Sequence, residues 1–77
     1  GKVYENVILL PLIQRLETTI RELCLFQETA KLVISQNELA NILGVTKEAV
    51  GINLNILQEK GVIELGYRSI THLFYQD

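Results

Sequence analysis

The segment from Ser35 to Val50 contains two short helical patterns separated by one glycine, and it constrains the fold more than any other part of the chain. Ser35 is a good cap for the first helix, and Glu38 stands three residues later, at the spacing of a capping box. Gly44 follows the last apolar residue, where helices commonly end in a left-handed conformation. Thr46 is a good cap for the second helix. The pattern therefore predicts a helix-turn-helix.

Apolar spacing supports both helices, which are predicted over Ser35–Leu43 and Thr46–Lys60. The apolar positions are Leu39, Ala40, Ile42 and Leu43 in the first helix, and Val50, Leu54 and Leu57 in the second. Two helices joined by a glycine turn are typical of proteins that place the second helix in the major groove of DNA.

Two strand candidates follow the second helix. The segments Val62–Leu65 and Ser69–Tyr75 are rich in β-branched and aromatic residues, and the turn Gly66–Arg68 separates them. A helix-turn-helix followed by a hairpin predicts a winged helix of the α+β class, mainly α. A short strand is also predicted over Lys31–Ile34, and it would join the hairpin as a third strand.

The N-terminal third is predicted to form one long helix. Pro11 either starts this helix in its first turn or kinks a longer helix that begins near Glu5. The apolar positions of the helix are Leu12, Ile13, Leu16, Ile20, Leu23 and Cys24. The apolar segment Val3–Leu10 has two interpretations: it is the end of a helix that connects to another domain, or it packs against its own domain. Residues 1–77 are interpreted as one domain.

Composition excludes several classes of protein. The hydrophobic content of 48% argues against disorder, and a chain of 77 residues can form one small core. The longest apolar run, Val7–Ile13, is interrupted by Pro11 and is far shorter than the ~20 residues of a membrane helix. The single cysteine, Cys24, cannot form an internal disulfide, so we interpret it as a buried thiol in a cytoplasmic protein.

Candidate catalytic and metal-binding residues are lacking. The chain has one histidine, one cysteine, no aspartate before Asp77 and no phosphate-binding glycine loop. His72 alternates with Ile70 and Phe74 along the predicted strand, so it is interpreted as a packed or edge residue rather than a ligand. We therefore predict no enzyme activity, no metal and no cofactor.

The helix-turn-helix and the hairpin together resemble a known family. The run Ile34–Gly51, then Leu54 and Leu57–Ile63, looks like the C-terminal DNA-binding domain of Crp–Fnr transcription regulators. The resemblance extends over residues 8–76, and the pair Val50-Gly51 together with the wing makes it more specific than a helix-turn-helix alone. It implies a homodimeric regulator that binds double-stranded DNA.

The resemblance also implies which residues contact DNA. Family members place a basic residue, an acidic residue and, four positions after the acid, an arginine on the second helix. Lys47 and Glu48 match the first two, but Ile52 replaces the arginine, and isoleucine can contact a thymine methyl group rather than guanine. Asn53 also departs from the family, where this position is usually apolar. The predicted base contacts are Lys47, Glu48, Gly51, Ile52 and Asn55, and the predicted phosphate contacts are Ser35, Gln36, Asn37, Thr46 and Arg68.

Net charge leaves a second function open. The chain has a formal charge of −2 and a pI near 5.3, whereas DNA affinity comes mostly from cations that neutralise phosphates. Binding by one domain should therefore be weak, and a dimer would double the contacts. The alternative is a winged-helix module that binds protein through Ile52 and Ile56, which lie one turn apart.

Overall fold

Three helices and three strands form the part of the chain described by the computed structural model, residues 10–76. In chain order they are α1 Leu12–Gln27, β1 Lys31–Val33, α2 Gln36–Leu43, α3 Lys47–Glu59, β2 Ile63–Gly66 and β3 Ser69–His72. The predicted class, a mainly α winged helix-turn-helix, is confirmed. Both interpretations of Val3–Leu10 concern residues that, apart from Leu10, lie outside the described part.

Helix α1 begins directly after Pro11, which has φ −58° and no N–H to leave unsatisfied. The Pro11 carbonyl accepts hydrogen bonds from the N–H groups of Gln14 and Arg15, at 3.1 and 3.2 Å. The helix ends at Gln27 because Glu28 adopts a left-handed conformation, with φ 54°.

The caps of the helix-turn-helix are formed as predicted. Ser35 Oγ accepts from the N–H of Glu38 at 3.1 Å, and Glu38 Oε1 accepts from the N–H of Ser35 at 2.9 Å. Thr46 Oγ1 accepts from the N–H of Ala49 at 3.1 Å. Gly44 has φ 70° and donates its N–H to the Ala40 carbonyl at 2.8 Å. Because a capping residue has extended backbone, both helices begin one residue later than predicted.

The strands form one antiparallel sheet in the order β1-β3-β2. Leu32 pairs with Ile70 in β3, and Gly66 pairs with Ser69 across the hairpin. The predicted third strand is therefore present, although Ile34 lies beyond its end. The sheet places the hairpin, which is the wing, beside the helix-turn-helix.

The last strand is shorter than predicted, because it ends at His72 instead of Tyr75. His72 Nδ1 accepts from the N–H of Phe74 at 3.3 Å, and the His72 carbonyl accepts from the N–H of Tyr75 at 3.4 Å. These local bonds turn the chain away from the sheet. The preceding strand is shifted to Ile63–Gly66 from the predicted Val62–Leu65.

One core lies between the three helices and the sheet. Its members are Leu16, Ile20, Cys24, Leu32, Leu39, Ala40, Val50, Leu54, Leu57, Ile63 and Ile70. Ile42 shares the apolar spacing of its helix but is 56% exposed. Cys24 is fully buried, its Sγ donates to the Ala30 carbonyl at 3.7 Å, and burial raises the pKa of its thiol. His72 is also buried, and its Nε2 has no hydrogen-bond partner among the described residues.

No helix within residues 10–76 is long and apolar enough to cross a membrane. In the same part of the chain, no three histidine, cysteine or acidic side chains come together in a way that could hold a metal ion.

Candidate functional site

A groove of about 300 Å³ lies between the N-terminal turn of α2 and helix α3 on one side and the hairpin on the other. We call it the wing groove. Its lining residues are Ile34, Ser35, Gln36, Asn37, Lys47, Gly51, Leu54, Asn55, Leu65, Gly66, Arg68, Ser69 and Ile70. Seven of the ten predicted site residues belong to this lining, although they come from three separate segments of the chain. Glu48, Ile52 and Thr46 do not line it.

The wing groove is positive although the chain is negative. Lys47 and Arg68 are its charged lining residues, and no carboxylate lines it within the described residues 10–76. A concave surface lined by one sign of charge focuses the electrostatic potential and attracts the opposite charge. The fold thus gathers two cations on a surface that no described carboxylate lines. The net charge of the chain does not show this local excess of positive charge.

The N-terminus of α2 opens into the wing groove. Ser35 Oγ accepts the cap hydrogen bond from the N–H of Glu38 and lines the groove beside the first turn of α2. The N–H groups of Gln36 and Asn37, in the first turn of the helix, have no carbonyl partner within that helix. Backbone donors and the positive end of the helix dipole together favour a bound anion here.

Glu38 lies close to this surface, but its carboxylate is hydrogen-bonded to the capping residue Ser35. The backbone N–H and the hydroxyl of Ser35 hold the pKa of the Glu38 carboxyl below its usual range, and the Arg68 charge acts in the same direction. The carboxylate is therefore engaged by donors of its own helix, and Glu38 does not line the groove.

Gly51 lets the side chain of Gln36 lie across α3. A Cβ built on Gly51 would come within 2.6 Å of Gln36 Nε2. The same Nε2 donates to the Lys47 carbonyl at 3.4 Å, in the first turn of α3. The Gln36 side chain thus joins α2 to α3, and Gly51, which we predicted as a base contact, lies beneath it.

The exposed side of α3 carries the remaining predicted base contacts. Ile52 is 63% exposed and Glu48 and Asn55 are also exposed, whereas Val50 and Leu54 are buried on the opposite side. Ile52 therefore points away from the core, as its position in the helix requires.

Asn53, the second departure from the family pattern, is half-buried. Its Nδ2 donates to the Ala49 carbonyl at 2.8 Å, which satisfies the amide within the helix. A hydrogen bond inside the helix explains why a polar residue is tolerated at this position.

Arg68 lies at the tip of the hairpin in a left-handed conformation, with φ 50°. A residue other than glycine in this region carries a conformational penalty of roughly 1–2 kcal/mol. The Arg68 carbonyl accepts from the N–H of Ile34 at 3.1 Å, which fixes the turn against the residue before the Ser35 cap. The turn therefore holds an exposed cation above the groove.

Two positioning residues were not predicted from the sequence. Gln58 Oε1 accepts from the N–H of Leu65 at 2.7 Å and ties α3 to the hairpin. Arg15 Nη2 donates to the Leu43 carbonyl at 2.8 Å and ties α1 to the end of α2. Both contacts join residues of different elements, and nothing in the local pattern indicates them.

Comparison with known proteins places this architecture in a family. The family of Crp-like helix-turn-helix domains matches residues 9–74. Among curated proteins, none matches the chain significantly.

Two solved structures are similar over 91% of this chain. One is described as a transcriptional regulator of the Crp/Fnr family from Eubacterium rectale, with a TM-score of 0.85 and 27% identity. The other is a Crp/Fnr transcriptional regulator from Thermus thermophilus, with a TM-score of 0.78 and 26% identity. The match covers 32% and 39% of those two chains, so this chain spans well under half of their length.

Proposed function

We propose that this chain, which belongs to the family of Crp-like helix-turn-helix domains, binds duplex DNA for a transcription regulator, with α3 in the major groove. In this arrangement α2 crosses the DNA backbone, and the hairpin tip reaches an adjacent phosphate or the minor groove. The interaction is sequence-specific through the exposed side of α3.

The charge of the wing groove is the observation that carries the proposal. Lys47, Arg68 and the first turn of α2 supply cations and backbone donors to one surface, without a carboxylate in the described lining. Phosphate oxygens are the partner that this donor set fits best. We assign phosphate contacts to Ser35, Gln36, Asn37, Thr46 and Arg68.

The base contacts are proposed on the neighbouring side of α3. The assigned residues are Lys47, Glu48, Gly51, Ile52 and Asn55. Apart from Gly51, these residues are exposed, so they are free to approach base edges.

We also propose that the chain acts as part of a homodimer in the cytoplasm. Two cations in the groove give a single domain little affinity, and dimeric helix-turn-helix proteins bind two half-sites about 34 Å apart. A dimer doubles the phosphate contacts and explains how a domain with net charge −2 retains DNA.

The test is a salt titration of duplex binding by the chain alone and by a dimer forced with a fused coiled coil. One domain brings two cations, Lys47 and Arg68, to the DNA surface, so the log–log slope for one domain should be about −2, and the dimer should double it. The matched control replaces Lys47 and Arg68 with glutamine, which should flatten the slope. Duplex binding that is insensitive to salt would count against DNA as the partner.

Exposed apolar residues favour a second candidate, a module that binds protein. Ile52 and Ile56 are 63% and 37% exposed and lie one turn apart on α3. Binding of a protein partner through this surface would be insensitive to salt and would be lost on Ile52→Asp. The same salt series therefore separates the two candidates.

A further inference from the structure

The exposed side of α3 carries charge in its first and last turns only. Lys47 and Glu48 stand at its start and Glu59 at its end, and the segment 49–58 contains no charged residue. The centre of the helix, which enters the groove most deeply if the helix reads DNA, therefore presents an apolar group and an amide. These are Ile52 and Asn55, both exposed.

Each of these side chains is complementary to a group that an A·T pair presents in the major groove. Guanine is read through two acceptors, which a cation such as arginine satisfies, and isoleucine has no donor for them. The thymine methyl group is apolar and is contacted by apolar side chains, while asparagine forms two hydrogen bonds with N6 and N7 of adenine. Ile52 and Asn55 are three residues apart, so they face the same side of α3.

The exposure of Ile52 in the free domain explains why its contact with a thymine methyl group would be favourable. Ile52 is 63% exposed in the free domain, so its side chain gains by leaving water against a methyl group. Asn55 also lines the wing groove, so it stands between Ile52 and the phosphate-binding surface. Because the two side chains lie on the same side of α3, they can together contact one base pair or two neighbouring pairs.

We propose, on the basis of the function proposed above, that α3 reads A·T pairs. Ile52 contacts a thymine methyl group, and Asn55 binds N6 and N7 of an adenine. The DNA that this domain selects is therefore rich in A·T pairs opposite the centre of α3.

The test begins with selection of the 77-residue chain on a random duplex library at low salt. In the selected site each thymine is then replaced by uracil, which lacks only the methyl group. One such replacement should weaken binding about fourfold, the effect expected for one buried methyl group. Ile52→Ala should bind the thymine and uracil duplexes equally, because the methyl contact is already gone.

The adenine contact is tested in the same way. Replacement of one adenine by 7-deazaadenine removes its N7 acceptor and should weaken binding by the parent chain but not by Asn55→Ala. Melting temperatures control for folding, since both side chains are exposed. The proposal is overturned if uracil and 7-deazaadenine have no effect at any position, or if the selected sites are rich in G·C pairs. Absence of binding to every duplex would overturn the proposed function as well.

Discussion

The side-chain amide of Gln36 occupies the space that a Cβ on Gly51 would need, at a distance of 2.6 Å. Gln36 also donates to the Lys47 carbonyl at 3.4 Å, so one side chain extends from α2 to the first turn of α3. A glycine in the middle of a helix lowers its stability by about 1 kcal/mol relative to alanine. Because glycine has no Cβ, it leaves room for the Gln36 side chain at this position.

Substitution Gly51→Ala tests this contact through a double-mutant cycle. In the parent chain the gain in helix propensity is only partly realised, because the end of the Gln36 side chain must move and its hydrogen bond to the Lys47 carbonyl is lost. In a Gln36→Ala background the obstacle is absent, and the same substitution should stabilise by about 1 kcal/mol. Chemical denaturation measures both differences. Equal effects in the two backgrounds would show that Gln36 does not occupy this position in solution.

Substitution Gly44→Val tests the turn between α2 and α3. Gly44 has φ 70°, and no atom outside its neighbours lies within 4 Å of a Cβ built there, so the backbone conformation alone opposes a side chain. A β-branched residue should lose about 1–2 kcal/mol of stability. Gly44→Asn is the matched control, because asparagine tolerates this conformation, and it should lose less. Thermal unfolding compares the three proteins. An unchanged melting temperature for Gly44→Val would show that residue 44 does not adopt a left-handed conformation in solution.

Substitution Arg68→Asn should affect stability and DNA binding in opposite directions. Asparagine tolerates the left-handed conformation better than arginine, so the free energy of unfolding should stay level or rise by a few tenths of a kcal/mol. Loss of the cation should reduce the salt slope of duplex binding by roughly 0.9. Arg68→Lys keeps the charge and should keep the slope. If Arg68→Asn binds DNA as tightly as the parent at every salt concentration, the hairpin tip makes no phosphate contact.

Acid should weaken the cap of α2 through Glu38. The folded-state pKa of Glu38 is lowered, so its contribution is present above its unfolded pKa and is lost as pH falls through the folded pKa. Glu38→Gln has no such titration, although glutamine can still complete a capping box. The difference in melting temperature between parent and variant should therefore be largest near neutral pH and shrink below pH ~4. A difference that is constant from neutral to acidic pH would contradict the capping role of the carboxylate.

Substitution Ile52→Arg should leave the fold intact, because Ile52 is mostly exposed. The added guanidinium should raise affinity for any duplex and shift the preferred base pair opposite it from A·T to G·C. Circular dichroism and library selection measure the two outcomes. Unchanged selection by the variant would indicate that residue 52 does not face the bases.

The parts of the fold that local chemistry determines could be predicted from the sequence. The Ser35–Glu38 capping box, the Gly44 turn and the Thr46 cap each depend on residues close to one another in the chain. The end of the last strand could not be predicted, because β-branched and aromatic residues continue past His72. A hydrogen bond from the Phe74 N–H to the His72 ring ends the strand instead.

Much less of the candidate site could be predicted. From the sequence we predicted which residues would face DNA, but we did not predict that a groove without carboxylates in its described lining collects Lys47 and Arg68. Summed along the chain, the three negative charges of Glu38, Glu48 and Glu64 exceed these two positive charges, although none of the three glutamates lines that groove. Only the tertiary fold separates the two signs. The contacts of Gln36 and Gln58 were missed for the same reason, since each joins two elements.

The hydrogen bond from the N–H of Ile34 to the Arg68 carbonyl has a consequence for the thermodynamics of association. It connects the residue before the Ser35 cap to the hairpin tip, so the two proposed phosphate-binding elements are held at one separation before any ligand arrives. Ordering a loop on binding opposes association through lost conformational entropy. This domain should lose little such entropy, and a duplex whose backbone does not match that separation has to deform to meet it.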